Sequence, residues 1–217
     1  MKTILKSGVA LVMLLYFSGC AVGRKMSYEN KEVKPDYSIT KSILTVFQDK
    51  RPEVLAGSEK PSWCGHMNST AQIPYNMQTE SGRPLADEFA NSMANSFIKQ
   101  GVKSTAMLVS MNTSIDSIST IFSKDEHERL LLFTMNKWES SANPRFSDIH
   151  YEVIFNLELK VYDKQGNMLA KSNVHDSVSK NQDMAVNLKR LQAMADEVFI
   201  TQVRALLNDE TVKTSLR

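Results

Sequence analysis

The sequence predicts an α+β domain, a mainly antiparallel sheet with two long helices packed on one face. Three observations predict it. Leu85, Phe89, Met93 and Phe97 recur every four residues, flanked by Ala86, Ala90, Ala94 and Ile98, which is the apolar stripe of an amphipathic helix. Leu188, Leu191, Ala195, Val198, Phe199 and Leu206 mark a second long helix, beginning near Asp183. Between these, Ile149, Tyr151, Val153, Phe155, Leu157, Leu159 and Val161 alternate with His150, Glu152, Asn156, Glu158 and Lys160, the period of a strand with one wet face.

Taken in order, 42–47 (SILTVF) is a β-branched apolar run and a buried strand. Gly57, Pro61, Gly65, Pro74 and Asn76 then make 52–82 a long irregular loop, a length usually reserved for function. Pro84 suits a first helical turn, Asp87 and Glu88 favour its positive end, and Gly101 ends the helix. A second strand follows at 104–111. Ser114 caps a short helix in which Ile115, Ile118 and Phe122 share a face. The run Leu130-Leu131-Leu132-Phe133 fits strand or helix by itself, and the alternation that follows favours a strand over 129–138. Asp163-Lys164-Gln165-Gly166 is a turn, so 168–178 returns as the partner of 149–161. Each layer has one apolar side, and the two sides bury one another.

The N-terminus reads differently. Lys2 and Lys6 precede an apolar run over 8–17, and Ser18-Gly19-Cys20 follows at once. The run is about half of the roughly twenty residues that a spanning helix needs, so it reads as a secretory signal. Phe17-Ser18-Gly19-Cys20 resembles the lipobox of bacterial lipoproteins, with Phe17 where that family usually has Leu. The resemblance implies a signal over 1–19, lipidation of Cys20, a tether over 20–40 and a single periplasmic domain over 41–217. The tether is inferred from a polar, charged composition without apolar period. Ala21 after the cysteine, in place of Asp, implies the outer membrane by the enterobacterial sorting pattern. An ordinary secretory signal cut near Ala21 or Gly23 is the alternative.

Losing Lys2 and Lys6 leaves 24 basic residues against 24 acidic ones, a balance that argues against nucleic-acid binding. Motifs for catalysis are missing: no G-x-S-x-G, phosphate loop, dinucleotide fingerprint, H-E-x-x-H or C-x-x-C occurs. Trp63-Cys64-Gly65-His66 puts a thiol and an imidazole two residues apart, suited to one metal or to a nucleophile pair. Both sites need a third member, and packing of a loop is the simpler reading. His150 and His175 flank the hairpin as possible cross-strand neighbours, and Asp125-Glu126-His127-Glu128 reads as a solvated turn before it reads as cation ligands. Trp138 is a packing residue or a partner anchor.

No catalytic, metal or cofactor site is therefore expected. The order of elements, Asp49-Lys50-Arg51-Pro52 and the turn at 163–166 resemble small envelope lipoproteins of the YajG-like and ABC-transport auxiliary kinds. That resemblance implies an accessory role with envelope protein partners, and membrane contact through the lipid alone. A binding module for a lipid or small apolar ligand is the alternative.

Overall fold

The computed structural model describes residues 24–182 and 184–217. Cys20 and the signal segment lie outside the described residues. In chain order the elements are β1 (Lys25–Met26), β2 (Ile43–Asp49), α1 (Pro52–Leu55), β3 (Trp63–Asn68), β4 (Pro74–Thr79), α2 (Leu85–Lys99) and β5 (Ser104–Ala106). There follow α3 (Ile115–Lys124), β6 (Arg129–Pro144), β7 (Ile149–Tyr162), β8 (Met168–Gln182), α4 (Leu188–Leu207) and α5 (Glu210–Leu216).

The fold is α+β, but its sheet is mixed where a mainly antiparallel one was expected. Strands β6, β7 and β8 form the antiparallel meander that alternation predicted. The other edge of β6 is shared between two strands: β2 pairs parallel to Arg129–Met135, and β3 pairs parallel to Ser140–Ala142. Beyond β2 lies β5, also parallel; beyond β3 lie β4, antiparallel, and β1, parallel to β4. Alternation identifies a strand without naming its neighbour. The helical crossovers α2 and α3 carry the chain back to its starting end, which parallel pairing requires.

This forked sheet is clamped by one side chain. Between its last pair with β2 and its first with β3, β6 carries a bulge at Met135–Lys137. Arg51, 0% exposed, fills the fork. Its Nε and Nη2 donate to the two carboxylate oxygens of Asp49 at 2.9 and 2.7 Å. Nη1 donates to the carbonyls of Trp63 at 2.6 Å and Trp138 at 3.4 Å, and Nη2 to that of Pro61 at 3.3 Å. The guanidinium thus joins the Asp49 side chain of β2 to backbone oxygens of β6 and of the β3 branch.

Both long helices do pack on one face, as expected. Phe89 of α2 and Phe199 of α4 meet at 4.3 Å between ring centres, over Trp138 and the stacked pair Phe47–Phe133. The opposite face is covered at one end by α3, whose Ile118 and Phe122 pack on Leu44, Val46, Leu130 and Leu132. Two-sided covering explains the continuous apolar runs: Leu131 and Phe133 join the larger core while Leu130 and Leu132 join the smaller.

Three local expectations change. The segment 52–82 is no irregular loop: it folds into α1 and the β3–β4 hairpin, concealed in the sequence by Gly65, Pro74 and Asn76. The long C-terminal helix begins at Leu188, capped by Asn187, whose side chain accepts from the Arg190 N–H. From Arg24 onward the supposed tether is packed as a strap over the helices. Tyr28 and Val33 are buried, Lys31 and Val33 donate their N–H groups to the hydroxyls of Ser92 and Ser96 at 2.7 Å each, and the Ser27 N–H donates to Gln192 at 2.8 Å. Buried Glu88 accepts the Tyr28 N–H at 2.9 Å. Hydroxyls and a carboxylate on the helices thus order a polar segment that composition alone marks as coil.

Gly65 permits the fork. Its φ is +140°, and a Cβ there would stand 1.8 Å from the Ser140 carbonyl oxygen. Gly65→Ala is expected to lower stability by at least about 2 kcal/mol, since β3 must part from β6; thermal melting of the two forms checks this.

Candidate functional site

The Trp63-Cys64-Gly65-His66 residues fall on β3, and the bulge between Trp63 and Gly65 turns the thiol and the imidazole apart. Cys64 is buried in the larger core, where burial pushes its thiol up to about 12. A neutral thiol in an apolar setting is a packing group, not a nucleophile. His66 faces the other way, and its Nδ1 lies 3.0 Å from Glu139.

That imidazole belongs to a polar quartet on the face of the sheet left open by the long helices. Lys137 bridges Glu139 at 2.8 Å and Glu53 at 2.6 Å. The hydrogen bond from His66 holds Glu139 down to about 2; burial opposes this and Lys137 adds to it. Burial opposes the charge of Lys137, but its bonds to Glu139 and Glu53 outweigh that and raise its pKa. Sequence reading missed the quartet because its members come from α1, β3 and β6. Lys137 bridges both carboxylates and His66 bonds one of them, which makes it a structural network.

The other singled-out residues also disperse. His150 and His175 are not cross-strand neighbours: the register sets His150 opposite Asn181 and His175 opposite Asn156. Both are polar residues on one hairpin, six positions out of register for each other. The 125–128 run separates into Asp125 paired with buried His127, Glu126 with Lys103 and Glu128 with Lys41. Trp138 is a core residue whose Nε1 donates to the Tyr28 hydroxyl at 3.1 Å. Among the described residues, no three His, Cys, Asp or Glu side chains converge as metal ligands.

The feature suited to a partner is strand β8. It pairs with β7 along its length and with no other strand, and most of its 15 residues are exposed, while α5 packs against its first part, where Asp209 accepts from Ser172. Lys171 and Lys180 punctuate it, and the eight residues between them (SNVHDSVS) contain no Lys, Arg or Pro, the residues that commonly protect an edge. Beside this strand runs a groove against α4. One part, about 190 Å³, is lined by Tyr151, Lys180, Arg190 and Met194; the next, about 160 Å³, by Val178, Met194, Val198 and Gln202. Lys180 and Glu197 face each other across it at 3.7 Å.

The sequence matches no protein-family model and no curated protein. Among solved structures, a homolog of neuraminyllactose-binding hemagglutinin from Helicobacter pylori superposes with a TM-score of 0.44 at 9% identity, over 88% of this chain and 98% of its own. An uncharacterised protein gives 0.41 at 13% identity, over 83% and 97%. Lipoprotein GNA1162 from Neisseria meningitidis gives 0.30 at 16% identity, over 76% and 99%. All three scores are below 0.5.

Because the folded-state pKa of Glu139 lies below its ordinary 4.5, the ionised carboxylate contributes stability that is fully present above about pH 4.5 and is lost as the pH falls through about 2. Glu139→Gln is expected to be less stable than wild type at pH 7, with the gap closing between pH 4.5 and 2. Urea unfolding across that range measures it.

Proposed function

We propose that this chain is a lipid-anchored cell-envelope protein without catalytic activity, an accessory or scaffold component that offers the β8 edge to a strand of a partner protein. The observation that carries the reading is that β8 pairs with β7 alone, leaving the 173–182 part of its edge without a strand neighbour beside a groove against α4. Added strands gain affinity from main-chain hydrogen bonds and specificity from pockets for alternate side chains, and this edge offers both. Support for the anchor comes from the lipobox-like residues ending at Cys20, and Ala21 favours the outer membrane, facing the periplasm. Among the described residues, no helix is long and apolar enough to cross a membrane.

The same groove motivates the second reading, a site for a small apolar ligand. Each of its two parts is smaller than the roughly 300–1,000 Å³ typical of small-molecule pockets, and together they reach only the low end of that range, which favours a partner's side chain as the occupant.

Cys20→Ser is expected to move the protein out of the membrane fraction; retention through an alkaline wash would refute the anchor. Purified from envelopes in mild detergent, the lipidated protein should bring a near-stoichiometric protein partner. The double variant Ser177→Lys, Ser179→Lys, checked to melt like wild type, should lose that partner. A partner retained in full by this variant removes β8 from the reading, and a bound small molecule in place of a protein favours the ligand site.

A further inference from the structure

Three connections meet at one end of the sheet. β6 ends at Pro144 and β7 begins at Ile149, so the 145–148 turn lies there. Ile149 pairs with Gln182, which brings the start of the loop after β8 to the same end. On the other side Met67 pairs with Ala142 and Asn68 with Pro74, placing the 69–73 turn beside them.

These connections present the large apolar side chains Phe146, Met184 and Ile73, which are 108%, 92% and 53% exposed. Fully burying such a side chain is worth about 1.5–3 kcal/mol, so their exposure is costly unless something covers them. The turns that carry them are fastened. Gln72 Nε2 donates to the Pro144 carbonyl at 2.9 Å, and Asn68 Nδ2 to Asn143 at 2.8 Å. The 145–148 turn is closed by the Arg145 N–H on the Asp148 carbonyl at 2.7 Å, and the Asn187 N–H donates to the Tyr151 hydroxyl at 2.9 Å.

The described chain starts beside the same end. β1 runs parallel to β4, with Lys25 opposite Gln78, and the Arg24 guanidinium lies 3.8 Å over the Tyr75 ring. The upstream direction of β1 is therefore toward Pro74 and the three turns. Arg24 precedes Lys25 and is level with Met77, which pairs with Gly65, which pairs with Ser140. From Ser140 to Pro144 is four residues of strand, about 13 Å. From Cys20 to Arg24 is also four residues, and a fully extended chain covers at most about 14 Å in that span. A lipid on Cys20 can thus just reach the level of the turns, and any slack draws them closer.

We propose that this end is the membrane-contacting surface of the protein, where Phe146, Met184 and Ile73 enter the headgroup region of the bilayer that holds the lipid on Cys20. The inference rests on the anchored reading above and adds a second, protein-borne contact to it. Arg145, exposed beside Phe146, suits a lipid phosphate at that depth, since its guanidinium can stay in the polar layer while the ring goes below. The β7–β8 turn, with Met168 and Leu169, lies at the far end of the 14-residue β7, roughly 45 Å away.

The test uses the full lipidated protein in vesicles of phosphatidylethanolamine and phosphatidylglycerol, with and without bromine on the acyl chains. Trp63 and Trp138 are buried and give a constant background. Phe146→Trp and Met184→Trp should be quenched several-fold more by brominated lipid than Met168→Trp, with emission shifted to the blue. Equal quenching at the two ends, or stronger quenching at 168, in protein that floats with the vesicles overturns the docking surface and leaves the anchor standing. Wild-type protein that fails to float overturns both.

Discussion

The buried Arg51 guanidinium is the interaction on which the rest of the structure depends. A sheet in which one strand serves two neighbours on the same edge has an awkward interval where neither neighbour reaches. In β6 that interval holds the bulge and the Trp138 carbonyl, and on the β3 side it holds those of Pro61 and Trp63. Arg51 is itself fully buried, and it bonds these carbonyls where water would otherwise have to. Asp49 neutralises the charge with a two-point contact, leaving neither ion uncompensated. Breaking such a pair on one side costs about 3–5 kcal/mol, far more than a surface pair contributes.

The fork in turn shapes the two surfaces. Because β2 and β3 divide one edge of β6, the other edge is free to extend as a long meander, and β8 becomes its outermost strand. Tyr28 closes the arrangement from the helix side, packing against Phe89 and Trp138 at 5.0 and 5.7 Å. The strap that brings Tyr28 there also fixes where the chain leaves the domain. In the proposed orientation β8 runs toward the bilayer, ending at Gln182, so a strand added to it would lie along the same axis.

Much of the secondary structure was legible in the sequence. The four-residue stripe of α2, the alternation of β7, the cap at Ser114 and the turn at 163–166 are local patterns, and each appears where its residues put it. The β3–β4 hairpin and the strap were not legible. Trp63–Asn68 alternates poorly across its bulge, and the strap is held by Glu88, Ser92, Ser96 and Gln192, which lie some sixty to one hundred and sixty residues further along the chain. As for the site, the histidines and the thiol drew attention through their chemistry, yet long-range register separated them: the thiol packs in the core, His66 meets Glu139 and His150 meets Asn181. The quartet, the β8 edge and the apolar turns carry no motif.

By itself, then, the sequence determined which segments form helices and strands and which of their sides are apolar, and it carries the lipobox-like pattern at Cys20. Periodicity is a property of neighbours along the chain, so it survives without a fold. Only the tertiary structure decided that the sheet is mixed and forked, that Arg51 sits at the fork, and that residues 24–38 bind the helices. Each of these depends on which strand lies beside which, and pairing is settled by contacts between residues distant in sequence.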